Sequence, residues 1–197
     1  MSAAPPSFER IAAILSFLDG ANRLKDTLRS GRTPEGRQES TAEHSWRLSL
    51  LAILLSDELE GVDMLRLVKL CIVHDLGEAI SGDVPAIHQR EGDDRAARER
   101  ADLVTLCAPL PGDLAAEMVA LWDEYAAAAT PEAVMAKGLD KIETMLTHST
   151  GNNDADFDYR FNLSYGLAAT GRHPLLKAIR EQVDARHHAL LMRRAPD

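Results

Sequence analysis

The stretch VDMLRLVKLCIVHDLGEAI, from Val62 to Ile80, decides the fold. Leu65, Val68, Leu70, Ile72, Val73 and Leu76 place apolar side chains almost all round a helix. A helix of that kind belongs inside a bundle rather than on its surface. The same stretch carries His74, Asp75 and Glu78. A carboxylate removed from water is unfavourable unless it is paired or bound to a cation. The segment therefore predicts a central, largely buried helix with a polar site built into it.

The flanking segments read as helices too. Ser40-Thr41-Ala42-Glu43 has the form of a capping box and opens a helix that runs through Leu48, Leu51 and Leu55 to about Leu59. Upstream, Ile11, Ile14, Leu15 and Leu18 lie on one stripe of a helix from Phe8 to about Leu24. Between these helices, RSGRTPEGRQES (Arg29 to Ser40) reads as a polar, Gly-containing loop with three arginines, Arg29, Arg32 and Arg37. Downstream, Gly82 is a terminator, Pro85 starts a short turn or helix, and EGDDRAARERADLV opens a helix with a solvated charged face. A further helix spans Pro111 to about Ala128. Thr130 as N-cap, Pro131 at the first helical position and Glu132 in the first turn open another, which holds LDKIETML. TGNNDADFD interrupts it, and a last helix runs from about Pro174 to Arg193. No alternation of period two stands out, so the expected fold is an all-α helical bundle.

Composition agrees. Aromatic residues are only 5% of the 197, and Ala and Leu abound, which favours helix over strand. The length suits one domain. A formal net charge of −9 repels phosphate backbones and argues against non-specific nucleic-acid binding. A local arginine cluster or a metal ion still allows a small anionic substrate. No stretch approaches the roughly 18–20 apolar residues of a membrane span. The start, MSAAPPSFER, lacks the features of a secretion signal. Cys71 and Cys107 sit in apolar helical stretches and read as reduced core residues of a cytoplasmic protein.

The ionisable residues admit two readings when taken singly. His74, Asp75 and Glu78 suit a buried ion-pair network, for example with Arg47 or Lys141, as well as a functional site. His44 alone suits a core histidine, and Asp140 alone suits half of a helix-surface ion pair. Together, two imidazoles and two carboxylates from three helices make an N/O donor set. Such a set suits one divalent ion such as Mn, Co, Fe, Ni or Zn. The absence of sulfur ligands points to a catalytic site rather than a closed structural one.

The pattern H…HD…D, carried by His44, His74-Asp75 and Asp140, resembles the HD-domain phosphohydrolases. STAEHSWRL, IVHDLGEAISGDVP and LDKIETMLTHS are similar to the branch that contains the bacterial and eukaryotic 5'-deoxynucleotidases. The resemblance covers about residues 11–153, with the helix at about 174–193 as a weaker extension of a single domain over 1–197. It implies that His44, His74, Asp75 and Asp140 hold one metal ion, since only His88 is available between the HD step and Asp140 for a second. It further implies that Glu78 serves catalysis, Asp83 binds a sugar hydroxyl and Arg29 contacts the phosphate. Ser30 stands where the family often has an aromatic residue. The implied reaction is release of phosphate from (deoxy)nucleoside 5'-monophosphates by a metal-activated water, in a homodimer. The same signature occurs in hydrolases of ppGpp or cyclic nucleotides, and a helical bundle of this kind also suits a non-catalytic ligand sensor.

Overall fold

The computed structural model describes residues 5–89 and 94–194. The helices are α1 (Phe8–Ala21), α2 (Thr41–Leu54), α3 (Met64–Val73), α4 (Glu78–Ser81), α5 (Arg95–Leu106), α6 (Gly112–Ala127), α7 (Pro131–Thr150), α8 (Tyr159–Ser164), α9 (Leu167–Thr170) and α10 (Pro174–Arg194). Two short antiparallel strands, β1 (Leu28–Arg32) and β2 (Gln38–Ser40), pair between α1 and α2. The fold is all-α apart from this hairpin.

α2 and α7 begin where capping chemistry places them. Ser40 Oγ accepts from the Glu43 backbone N–H, and the Glu43 carboxylate accepts from the Ser40 backbone N–H, which completes the capping box of α2. Thr130 accepts from the Ala133 N–H, with Pro131 at the first position of α7. The start of the expected charged helix at 91–93 lies outside the described residues; its remainder is α5.

α7 is the most enclosed element. Met135, Ala136, Leu139, Ile142 and Met145 are almost wholly buried, and the helix packs against α2, α3, α6, α9 and α10. α3 lies among α2, α6 and α7. It buries Leu67, Leu70, Cys71 and Val73, while Leu65 and Ile72 face outward.

Two expectations from the sequence change. The helix expected over Val62 to Ile80 is regular only from Met64 to Val73. Beyond His74 the backbone bonds tighten to i→i−3, from Leu76 to Val73, Glu78 to Asp75 and Ala79 to Leu76, before one turn of α4 forms. The HD step thus sits on a turn between two helices. Tertiary packing imposes the break. α5 crosses so close to Gly77 that a Cβ there would lie 2.6 Å from the Glu99 carbonyl oxygen.

The expected loop from Arg29 to Ser40 is the β1–β2 hairpin. Its strands have five and three residues, too short for an alternating pattern to show. They rest on α7, where a Cβ on Gly31 would come within 2.6 Å of Thr147 Cγ2. The stripe on α1 does not close a core. Ile11, Leu15 and Leu18 are exposed, as are Phe8 before them and Trp46, Ile53 and Leu54 on α2.

Candidate metal centre

His44 projects from the second turn of α2, His74 and Asp75 from the turn after α3, and Asp140 from the middle of α7. His44, His74 and Asp75 bring ligand atoms within 4.8 Å of one another, and Asp140 Oδ1 lies beside both imidazoles. His74 Nε2 lies 3.0 Å from Asp75 Oδ2 and 3.9 Å from Asp140 Oδ1. His44 Nε2 lies 3.3 Å from Asp140 Oδ1 and 3.8 Å from Asp75 Oδ2. Both Nε2 atoms are buried and lack a hydrogen-bond partner among the described residues.

Each imidazole is anchored through its other nitrogen. His74 Nδ1 donates to the Cys71 carbonyl at 2.9 Å, and His44 Nδ1 donates to the buried carboxylate of Glu143. These contacts set the tautomer and aim both Nε2 atoms at the Asp75 and Asp140 carboxylates. Asp140 is oriented likewise. Its Oδ2 accepts from Tyr125 Oη at 2.6 Å and from Lys141 Nζ at 2.8 Å, which leaves Oδ1 facing the imidazoles. Buried polar atoms are normally satisfied. Two orphaned imidazole nitrogens facing two carboxylate oxygens are therefore a donor set that fits a divalent cation.

Electrostatics follow from burial and neighbours. Burial and Arg29 work against a charged His44, yet the Glu143 and Asp140 carboxylates raise it to about 10. Burial likewise opposes charge on Asp140, but Lys141 and the two imidazoles hold it well below the usual carboxylate range. Asp75 is also lowered, against its burial, by His74 and Arg29. Glu78 behaves in the opposite way. Burial, then Asp75, pushes its carboxyl up to about 9. One oxygen, Oε2, accepts from Thr41 Oγ1 at 2.9 Å.

Asp75, His74 and Asp140 face a cavity of about 650 Å³; His44 is behind them. Glu78, Asp83 and Arg29 also line it, so the cavity brings together the remaining residues singled out in the sequence. Asp83 is raised by burial, with Asp75 adding to the effect. Arg29 is a strand residue rather than a loop residue. Its Nη1 donates to Asp75 Oδ2 at 3.1 Å and its Nη2 to Thr144 Oγ1 at 3.2 Å. Arg32 and Arg37 instead pair with Asp154 and Glu43 at the surface.

Sequence reasoning overlooked Glu143, Tyr125 and Thr41, and it weighed Lys141 only as one side of an ion-pair network. Glu143 had a signal, since it follows Asp140 by three residues and so shares its helix face. Tyr125 and Thr41 had none, because their roles come from helices packed side by side.

The HD domain family model matches residues 21–180. A 5'-deoxynucleotidase of Bos taurus is 30% identical over 89% of this chain and 86% of its own length. One of Homo sapiens is 32% identical over 70% of this chain and 67% of its own. Among solved structures, that of a predicted metal-dependent phosphohydrolase from Magnetospirillum magnetotacticum superposes with a TM-score of 0.80 at 30% identity. It covers 98% of this chain and 100% of its own. The match takes in every residue at the centre, from His44 to Asp140, and the fold is shared along nearly the whole chain, so this protein belongs to the HD domain family.

Proposed function

We propose that this protein is a metal-dependent phosphohydrolase that releases phosphate from (deoxy)nucleoside 5'-monophosphates, with His44, His74, Asp75 and Asp140 as the ligands of one divalent ion. The observation that carries the reading is the pair of orphaned Nε2 atoms facing Asp75 Oδ2 and Asp140 Oδ1 at the wall of the cavity. The relatives named 5'-deoxynucleotidase support the substrate class. The N/O donor set suits Mn, Co, Fe, Ni or Zn.

A bound divalent ion supplies Lewis acidity at a phosphate oxygen and lowers the pKa of a water to near neutral. The protein's own residues do the rest. Glu78 lines the cavity with Oε2 accepting from Thr41, so Oε1 is the oxygen left to take a proton from the attacking water as a carboxylate and then to give that proton to the leaving alkoxide. Arg29 presents a planar guanidinium to phosphoryl oxygens while its Nη1 steadies Asp75. Lys141, also at the cavity wall, adds positive charge beside Asp140. Asp83 accepts from a sugar hydroxyl.

The chain acts as a single domain. One hydrophobic core runs from Leu24 to Val183, which supports this. It works as a homodimer, with the exposed stripe of Phe8, Ile11, Leu15 and Leu18 on α1 as the apolar surface a second copy would cover. A cytoplasmic site of action accords with the two buried free cysteines, Cys71 and Cys107. No helix among the described residues is long and apolar enough to cross a membrane.

The deciding assay measures phosphate release from deoxyribonucleoside and ribonucleoside monophosphates, ppGpp and cyclic nucleotides, each with Mn, Co or Zn added. Metal-dependent turnover of the monophosphates is expected. Turnover of ppGpp or cyclic nucleotides alone, or of nothing, overturns the reading.

A further inference from the structure

At the end of the cavity away from Asp140 lies a buried group that the chemistry above does not use. His148 follows Asp140 by eight residues on α7, about 12 Å further along the axis at 1.5 Å per residue. Thr144, which receives Arg29, lies between them. Lys137, Asp140, Lys141, Thr144 and His148 all line the cavity, so one stripe of α7 leads along its wall from Asp140 to His148. A phosphate held near Asp140 would lay the rest of a nucleotide along this stripe.

The far end is built as a recognition site. His148 Nδ1 donates to Asn162 Oδ1 at 2.9 Å, which leaves the Nε2 lone pair as an acceptor. Ser30 Oγ donates to Nε2 at a long 3.5 Å, a contact that a base donor would replace, and both side chains line the cavity. Asn162 is wholly buried, lines the cavity as well, and leaves its Nδ2 without a hydrogen-bond partner among the described residues. Phe157 stands edge-on to His148 with ring centroids 4.9 Å apart, is half-buried, and lines the same cavity. An aromatic wall beside a fixed acceptor is the equipment for holding a flat, hydrogen-bonding ring.

Resting on the nucleotide reading above, we propose that His148 is the base-recognition residue: its Nε2 accepts a hydrogen bond from a nitrogen donor of the nucleobase, whose ring packs on Phe157. Burial favours the neutral form this needs. Burial first, then Arg29 and His187, hold the imidazole down at about 4. Asn162 and Glu143 pull it the other way, and Asp156 and Asp158 are the acidic side chains that line the cavity near Phe157. The aromatic contact that the family often places beside Arg29 is supplied here from the segment after α7.

The test uses the metal-loaded full chain and probes that are not turned over: the four deoxynucleosides and inorganic phosphate, titrated by calorimetry. His148→Ala is expected to weaken deoxynucleoside binding about tenfold relative to phosphate, the effect of removing one hydrogen bond and the packing around it. His148→Gln, which keeps an acceptor, restores most of that loss. Asn162→Asp keeps the shape and the acceptor for Nδ1–H, but a carboxylate there raises the imidazole towards protonation and turns Nε2 into a donor. In that variant, deoxynucleoside affinity falls as pH drops from about 8 to 6, whereas the unaltered protein is flat over the same range. Equal loss of deoxynucleoside and phosphate binding in His148→Ala, or pH-independent binding in Asn162→Asp, overturns the proposal. The two readings fail separately. If no phosphomonoester is hydrolysed but the variants lose deoxynucleosides as described, the nucleotidase reading falls and the subsite stands. If phosphate is released but all variants bind deoxynucleosides alike, the subsite falls and the nucleotidase reading stands.

Discussion

Glu78 is the residue whose environment says most about its role. Its carboxyl is raised to about 9 by burial and Asp75, so between pH 4.5 and 9 the folded metal-free chain binds a proton that the unfolded chain releases. Stability then falls as pH rises through that window, because the folded state holds more protons than the unfolded one. Glu78→Gln removes this dependence. At about pH 8 the metal-free variant should melt at least about 2–4 °C higher than the parent, the shift that 1 kcal/mol produces in a chain of this size. Near pH 4 the two should melt together. The same variant should keep its metal and lose about 10²–10⁴-fold in kcat, the usual loss on removing a general acid or base. A variant that loses its metal would show Glu78 to be a ligand. Arg29 makes a second case. It is buried against Asp75 and Thr144, whereas Arg32 and Arg37 are tied to surface carboxylates. Arg29→Ala should lower kcat/KM at least about tenfold. Arg32→Ala and Arg37→Ala should have smaller effects that fade with salt. Equal losses for all three would remove Arg29 from the phosphate site.

At the scale of elements, the turn that carries His74 and Asp75 depends on how closely α5 can approach it. Gly77 has no room for a side chain, since a Cβ would stand 2.6 Å from the Glu99 carbonyl oxygen, a backbone atom that cannot swing away. Gly77→Ala should therefore push α5 off the turn and destabilise the chain by about 1–3 kcal/mol, the range for overpacking. It should also weaken metal binding, because the displaced turn supplies two of the four proposed ligands. Denaturant unfolding together with a metal titration checks both. Stability and metal affinity both equal to the parent's would show that the approach is looser than it stands here. Much at this scale was legible beforehand. The capping box at Ser40 and the Thr130-Pro131 start were readable because capping is local chemistry between residues three or four apart. The break after His74 and the β1–β2 hairpin were not, because both are set by what packs against them: α5 on Gly77 and α7 on Gly31.

For the whole molecule, the proposed metal centre joins α2, the turn after α3, and α7, so a bound ion would tie together elements far apart in the chain. Anything that binds only the folded state stabilises it. At a metal concentration about 100-fold above Kd the gain is about 2.7 kcal/mol, or roughly 5–10 °C in Tm, and a chelator should remove it. Uptake should also release protons. His44 is raised to about 10 in the metal-free protein, so at neutral pH a cation must displace its proton from Nε2. Calorimetry in two buffers of different ionisation heat should report at least about one proton released per ion bound. No release at neutral pH would mean that His44 is neutral beforehand or is not a ligand. The sequence alone pointed to a helical bundle and, for His74, Asp75 and Glu78 in an apolar segment, to a need for partners; it was the resemblance to the HD-domain phosphohydrolases that grouped them with His44 and Asp140. Tertiary structure alone decided which partners those are. Glu143 behind His44, Tyr125 on Asp140 and Arg29 against Asp75 owe their contacts to distances between packed helices and the hairpin. Spacing along a chain reports which residues share one helix face, whereas the approach of two faces is set by the side chains that fill the space between them.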